Sequence, residues 1–125
     1  MNRESTYLRD GQGYYRTAVG AKKRPQIFTP EIVYNLLSMV IEKYFMAFFE
    51  SHHTMADNHT FTDLINSANR IAPVPSTLIN DLKSLEVFQN LCPVFTGYQR
   101  SIPDEGQIRK MYEVTDRVIE YCVRN

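Results

Sequence analysis

Glycine, cysteine and net charge are all scarce in this chain, and each scarcity closes off a class of function. Five glycines in 125 residues form no repeat, low-complexity tract or glycine-rich phosphate loop, so the backbone cradle that such a loop offers to a nucleotide is missing. The two cysteines, Cys92 and Cys122, sit inside apolar helical patterns, and no charged-then-apolar leader opens the sequence. They read as buried thiols in a reduced, cytoplasmic setting. Fourteen basic residues face fourteen acidic ones, which leaves no global field to draw the protein to nucleic acid or an anionic membrane; any such binding must be local. Strand-like alternation of useful length is absent too. The most apolar segment, Ile32 to Phe49, is interrupted by Asn35, Ser38, Glu42 and Lys43, whereas a membrane span wants about 20 mostly apolar residues. It reads as a core helix, and no membrane contact is expected.

What remains is a helical chain with material for one core. Hydrophobic residues make up 43%, with eight tyrosines and seven phenylalanines, enough for a single domain over residues 1–125. Tyr7, Gly11, Tyr14, Ala18 and Ala21 recur at helical spacing, and their small members allow a neighbour to approach closely. Thr29-Pro30-Glu31 starts a long second helix: a capping hydroxyl, a proline without the amide that would be orphaned, and an acid at the positive end. That helix carries a narrow polar stripe at Asn35, Ser38, Glu42 and Lys43 and is apolar elsewhere. Too apolar for one buried face, it should be central or should pack against a second subunit as well as its own domain, and a homodimer is expected with an exposed aromatic such as Phe45 or Phe49 at the contact. Thr60 and Asp63 resemble a capping box before a short helix that Pro73 and Pro75 stop. Leu78, Leu82, Leu85, Phe88 and Leu91 keep helical spacing from Ser76 to Pro93, and a final helix begins near Pro103-Asp104-Glu105. The fold expected is all-α, an antiparallel bundle of four principal helices plus a short helix.

Every histidine lies in 50-ESHHTMADNHTF-61. His52, His53, Asp57 and His59 are the right residue types for zinc, but adjacent histidines seldom share a metal and no His-Glu-x-x-His pattern is present, so the spacing favours a polar interhelical loop. Lys22-Lys23-Arg24 is the one dense basic run; cations there offset the negative end of the first helix, with a phosphate-contacting patch beside Tyr14 and Tyr15 as the sharper reading. Ser76 and Thr77 have no histidine and acid placed by motif for a serine hydrolase.

In their order, these pieces resemble the HEPN domain family of small helical bundles. The resemblance rests on Tyr14-Tyr15 with Ala18 in the first helix, Glu42-Lys43-Tyr44-Phe45 in the second, His59-Thr60-Phe61 before the third, and Tyr98-Gln99-Arg100-Ser101-Ile102-Pro103 before the last. It implies a nucleotidyltransferase as partner, or a nucleotide or RNA as ligand, with Arg100, Tyr98, His59, Tyr14 and Tyr15 as the contacting residues. HEPN-like ribonucleases carry a histidine after four to six residues that follow the arginine, whereas Glu105, Gly106 and Gln107 occupy those positions after Arg100. Half of the acid–base machinery is missing. The sequence therefore predicts a non-catalytic binding or regulatory module, with no catalytic residue, metal ligand or cofactor assigned. One alternative is a ribonuclease in which Arg100 works with a displaced histidine, His59. The other is a structural metal protein built on His52, His53 and His59.

Overall fold

The computed structural model describes residues 5–89 and 102–125, and among these residues every regular element is helical. The elements are α1 (Thr6–Ala21), α2 (Pro30–Ser51), α3 (Phe61–Ile71), α4 (Ser76–Leu85) and α5 (Glu105–Arg124), with a 3-10 turn over Glu86–Phe88 after α4. Local chemistry sets the boundaries. Thr29 Oγ1 accepts from Ile32 N ahead of Pro30, and Ser5 Oγ accepts from Leu8 N at the start of α1. At α5 the capping box is complete: Asp104 Oδ1 accepts from Gln107 N at 2.8 Å and Gln107 Oε1 accepts from Asp104 N at 2.9 Å.

The expected small-residue face of α1 is present. Gly11, Ala18 and Ala21 are its buried positions, and a Cβ on Gly11 would meet the Tyr44 ring at 3.0 Å, so α1 lies close against α2. Tyr15 Oη donates to Asp116 Oδ1 at 2.7 Å and Tyr112 Oη donates to the Ala18 carbonyl at 2.6 Å, which joins α1 to α5.

Antiparallel packing holds for α1 with α2, α1 with α5, and α4 with α5, but not for α2 with α5. Phe48 packs on Tyr121 and His52 reaches Asn125 at one end, while Val33 and Ile108 line one groove at the other. These two helices run parallel. The α2–α3 connection carries the chain back along α2, from His52 to His59 beside Glu42 and Phe61 beside Tyr34, and the α3–α4 hairpin then runs out to Tyr121 and returns to Tyr34 before α5 begins.

α2 is long and apolar enough to cross a membrane by length and composition, yet here its apolar residues bury protein. Leu37, Val40, Ile41, Phe45, Phe48 and Phe49 are all fully buried within the single chain. Dimerisation through an exposed Phe45 or Phe49 therefore loses its basis: both rings are buried within the single chain, and α2 is central, packed on by α1, α3 and α5. Only Ile32 (43% exposed) and Met39 (37%) remain as large exposed apolar side chains on α2.

Candidate functional site

The three histidines leave the α2–α3 connection in three directions. His52 caps α2; its Nε2 lies 2.9 Å from Asn125 O and its ring packs on Phe48. His53 takes φ 55°, the left-handed position that ends a helix when Thr54 N donates to Phe49 O and His53 N to Glu50 O. His59 turns back to α2, with Nδ1 3.1 Å from Glu42 Oε1. Among the described residues no three metal-ligating side chains converge, so the metal reading of His52, His53 and His59 has no ligand set to stand on.

His59 and Glu42 share an open cleft of about 460 Å³ whose floor is the polar stripe of α2. Asn35, Ser38, Met39 and Glu42 line it from α2, Asn58, His59 and Thr60 from the connection, and Gln89 from beyond the 3-10 turn. An ionised carboxylate only accepts, so with the imidazole neutral the proton sits on Nδ1 and Nε2 is left as an acceptor. Ser38 Oγ is buried beside the Tyr34 hydroxyl, which itself donates to the Leu85 carbonyl at 2.6 Å. Burial pushes the Tyr34 phenol well up, and hydrogen bonding with Ser38 opposes this in part.

The start of α3 adjoins this cleft but holds no open anion site. Phe61 N donates to Gln89 Oε1, Thr62 N to Glu86 Oε1 at 2.9 Å, and Asp63 N to Thr60 Oγ1. The first-turn amides are thus occupied, and the chain's own Glu86 carboxylate sits where a phosphate would. Among the described residues no lysine or arginine lines the cleft either.

Of the residues expected at a site, only His59 is found here. Tyr15 is committed to Asp116, which is the main reason its phenol is pushed up to about 12, and Tyr14 packs against the core; neither lines the His59 cleft. Tyr98 and Arg100 lie outside the described residues. Ser38, Asn35, Glu42 and Gln89 were not expected to act together, although the spacing of the first three already showed a polar stripe.

A second groove, between α4 and the end of α5, contains Arg117 and Arg124. Both are engaged. Arg117 Nη1 lies 2.7 Å from Asp81 Oδ2 and Arg124 Nη2 lies 2.9 Å from Glu120 Oε1; the Arg117 contact, with Lys110 behind it, holds the Asp81 carboxyl below its usual range.

The chain matches no protein-family model, no curated protein and no solved structure.

Proposed function

We propose that this protein is a non-catalytic, HEPN-like binding module that takes a small polar ligand in the cleft between α2 and the α2–α3 connection. The supporting observation is the lining itself: Asn35, Ser38 and Glu42 form one polar stripe on α2 and share an open cleft with Asn58, His59 and Thr60 of the connection. Asn35, Asn58 and Gln89 bring amides that both donate and accept, and Met39 adds an apolar contact. With Glu42 as the one formal acid and no cation among the described lining residues, the cleft suits the base or ribose of a nucleotide better than its phosphate. A nucleotidyltransferase, which the HEPN resemblance implies, is the protein partner to look for.

The test is an amide-resolved NMR titration with the four nucleoside monophosphates and with adenosine. Shifts should centre on Asn35, Ser38, Asn58 and His59. Ser38→Ala should weaken them, because the hydroxyl is part of the polar stripe that lines the cleft. Shifts scattered over other helices, or shifts that are unchanged in Ser38→Ala, would refute this reading.

One observation favours a second reading. A half-exposed histidine whose Nδ1 is held by a carboxylate has the arrangement of a general base. RNA incubation separates the two: the binding module leaves RNA intact, whereas cleavage by wild type that disappears in both His59→Ala and Arg100→Ala would establish the displaced-histidine ribonuclease.

A further inference from the structure

The basic run Lys22-Lys23-Arg24 belongs to a site of its own, at the opposite end of α2 from His53. Ala21, Pro25, Phe28, Pro30, Val33, Ile108 and Tyr112 form an apolar groove of about 290 Å³ where α1 ends and α2 and α5 begin. Its wall is one compact turn, in which the Arg24 carbonyl accepts from both Ile27 N and Phe28 N. This places Lys22, Pro25 and Phe28 on the groove. Lys23, Arg24 and Ile27, which is 59% exposed, flank it from the same turn.

Charge around the groove is unbalanced. Lys22 stands over the Tyr112 ring, 4.3 Å from its centroid, and Arg109 lines the α5 side. Among the described residues none of Lys22, Lys23, Arg24 and Arg109 has a carboxylate within ion-pair distance. On the far face of α5, by contrast, Lys110, Arg117 and Arg124 are each neutralised by an acid. Among the described residues Glu105 is the one acid in the groove lining, and Asp104 and Glu31 adjoin the lining residues Glu105 and Pro30 in the sequence.

We infer that this groove docks an acidic segment of a partner protein: an apolar anchor side chain enters between Phe28, Val33 and Ile108, and flanking aspartates or glutamates meet Lys22, Lys23, Arg24 and Arg109. Complementary charge steers such a segment and fixes its register, and the filled groove supplies the desolvated centre that makes the contact specific. An RNA strand fits less well. It has no aliphatic side chain for the apolar floor, the Tyr112 face that could stack a base is covered by Lys22, and Glu105 opposes a continuous phosphate track. This docking surface stands apart from the α2–α3 cleft and does not depend on what that cleft binds.

Fluorescence anisotropy with the whole protein tests the inference. The probe is a short labelled peptide in which leucine and phenylalanine are flanked by aspartate and glutamate. Its controls are the same peptide with lysine for each acid, the same peptide with alanine for each anchor, and a single-stranded RNA. The acidic peptide should bind, weaken as salt is raised, and lose at least about tenfold in affinity to the Lys23→Gln/Arg24→Gln double variant. Both variant positions are exposed, so the melting temperature should not change. The basic and alanine peptides should bind poorly. Absence of binding, equal binding of the acidic and basic peptides, unchanged affinity in the double variant, or tighter binding of RNA than of peptide would each overturn the proposal.

Discussion

Removing one hydroxyl from α5 measures how firmly the α3–α4 hairpin is held. The Tyr121 side chain is 6% exposed and its ring packs on Phe48 with centroids 5.4 Å apart. Its hydroxyl donates to the Ala72 carbonyl at 2.6 Å and shares the Ala68 carbonyl at 3.1 Å. Tyr121→Phe keeps the ring contacts and deletes only the oxygen. Ala68 O still accepts from Ala72 N, but Ala72 O loses its donor. A buried acceptor stripped in this way costs about 1–3 kcal/mol. Ala72 is half-buried and borders an open groove that water can enter, so the lower half applies, about 1–2 kcal/mol, or a fall in melting temperature of roughly 4–8 °C for a chain of this size. The pH dependence gives a second readout. Burial, helped by neighbouring Cys122, pushes the Tyr121 phenol up from 10.0 to about 12. A phenol raised above its unfolded value adds stability that is complete below about pH 10 and is lost as pH rises through about 12. Phenylalanine cannot ionise. The gap between wild type and Tyr121→Phe, measured by urea denaturation followed by circular dichroism, should therefore be constant from pH 7 to 9 and shrink above pH 10. A variant within about 0.5 kcal/mol of wild type at pH 7, or a gap that stays constant to pH 12, would refute the contact.

Three other substitutions test particular backbone and packing features. His53→Gly should stabilise by about 1 kcal/mol, a melting shift of roughly 4 °C, because the left-handed residue after α2 is strained for any side chain with a Cβ; a lower melting temperature would mean that the His53 side chain earns its place through contacts. Gly13→Ala has open space around its new methyl, with the tip of Arg16 at 3.9 Å as its nearest contact, and should gain about 1 kcal/mol of helix propensity in thermal denaturation. Gly11→Ala should fall short of that gain, since its Cβ meets Tyr44 Cδ2 at 3.0 Å and Lys43 Cβ at 3.3 Å; equal stabilisation of the two variants would show that α1 and α2 are not in close contact.

Local chemistry was legible in the sequence, and long-range pairing was not. Thr29-Pro30, Thr60 and Asp104 each start a helix by bonds to residues at most three positions away, so the letters alone place those boundaries. The break after Leu85 was missed: helical spacing continued through Phe88 toward Pro93, but the chain tightens into a 3-10 turn that sends Glu86 and Gln89 to the amides of α3. The polar stripe Asn35, Ser38, Glu42 was visible as spacing. What it faced was not, because His59 meets Glu42 across a reversal of the chain whose course depends on the helix end at His53. The apolar excess of α2 was also visible, but periodicity counts faces without counting the neighbours that cover them, so it left a central helix and a second subunit as alternatives. Tyr121 and Tyr15 were read as helix-face and ligand residues; their hydroxyls turn out to be cross-links between helices.

Parallel pairing of α2 with α5 also sets the order in which this chain can assemble. No tight turn joins parallel helices; the contact between His52 and Asn125 spans 73 positions, and the entropy of closing so long a loop must be met before any of its contacts form. α1 with α2, and α3 with α4, are by contrast hairpins of neighbouring helices. Docking of α5 is thus the late step of folding. Val118→Ala, in the fully buried face of α5, should speed unfolding and leave the folding rate nearly unchanged, whereas Ala18→Gly on α1 should slow folding. Stopped-flow chevrons with the two effects exchanged would place α5 in the nucleus instead.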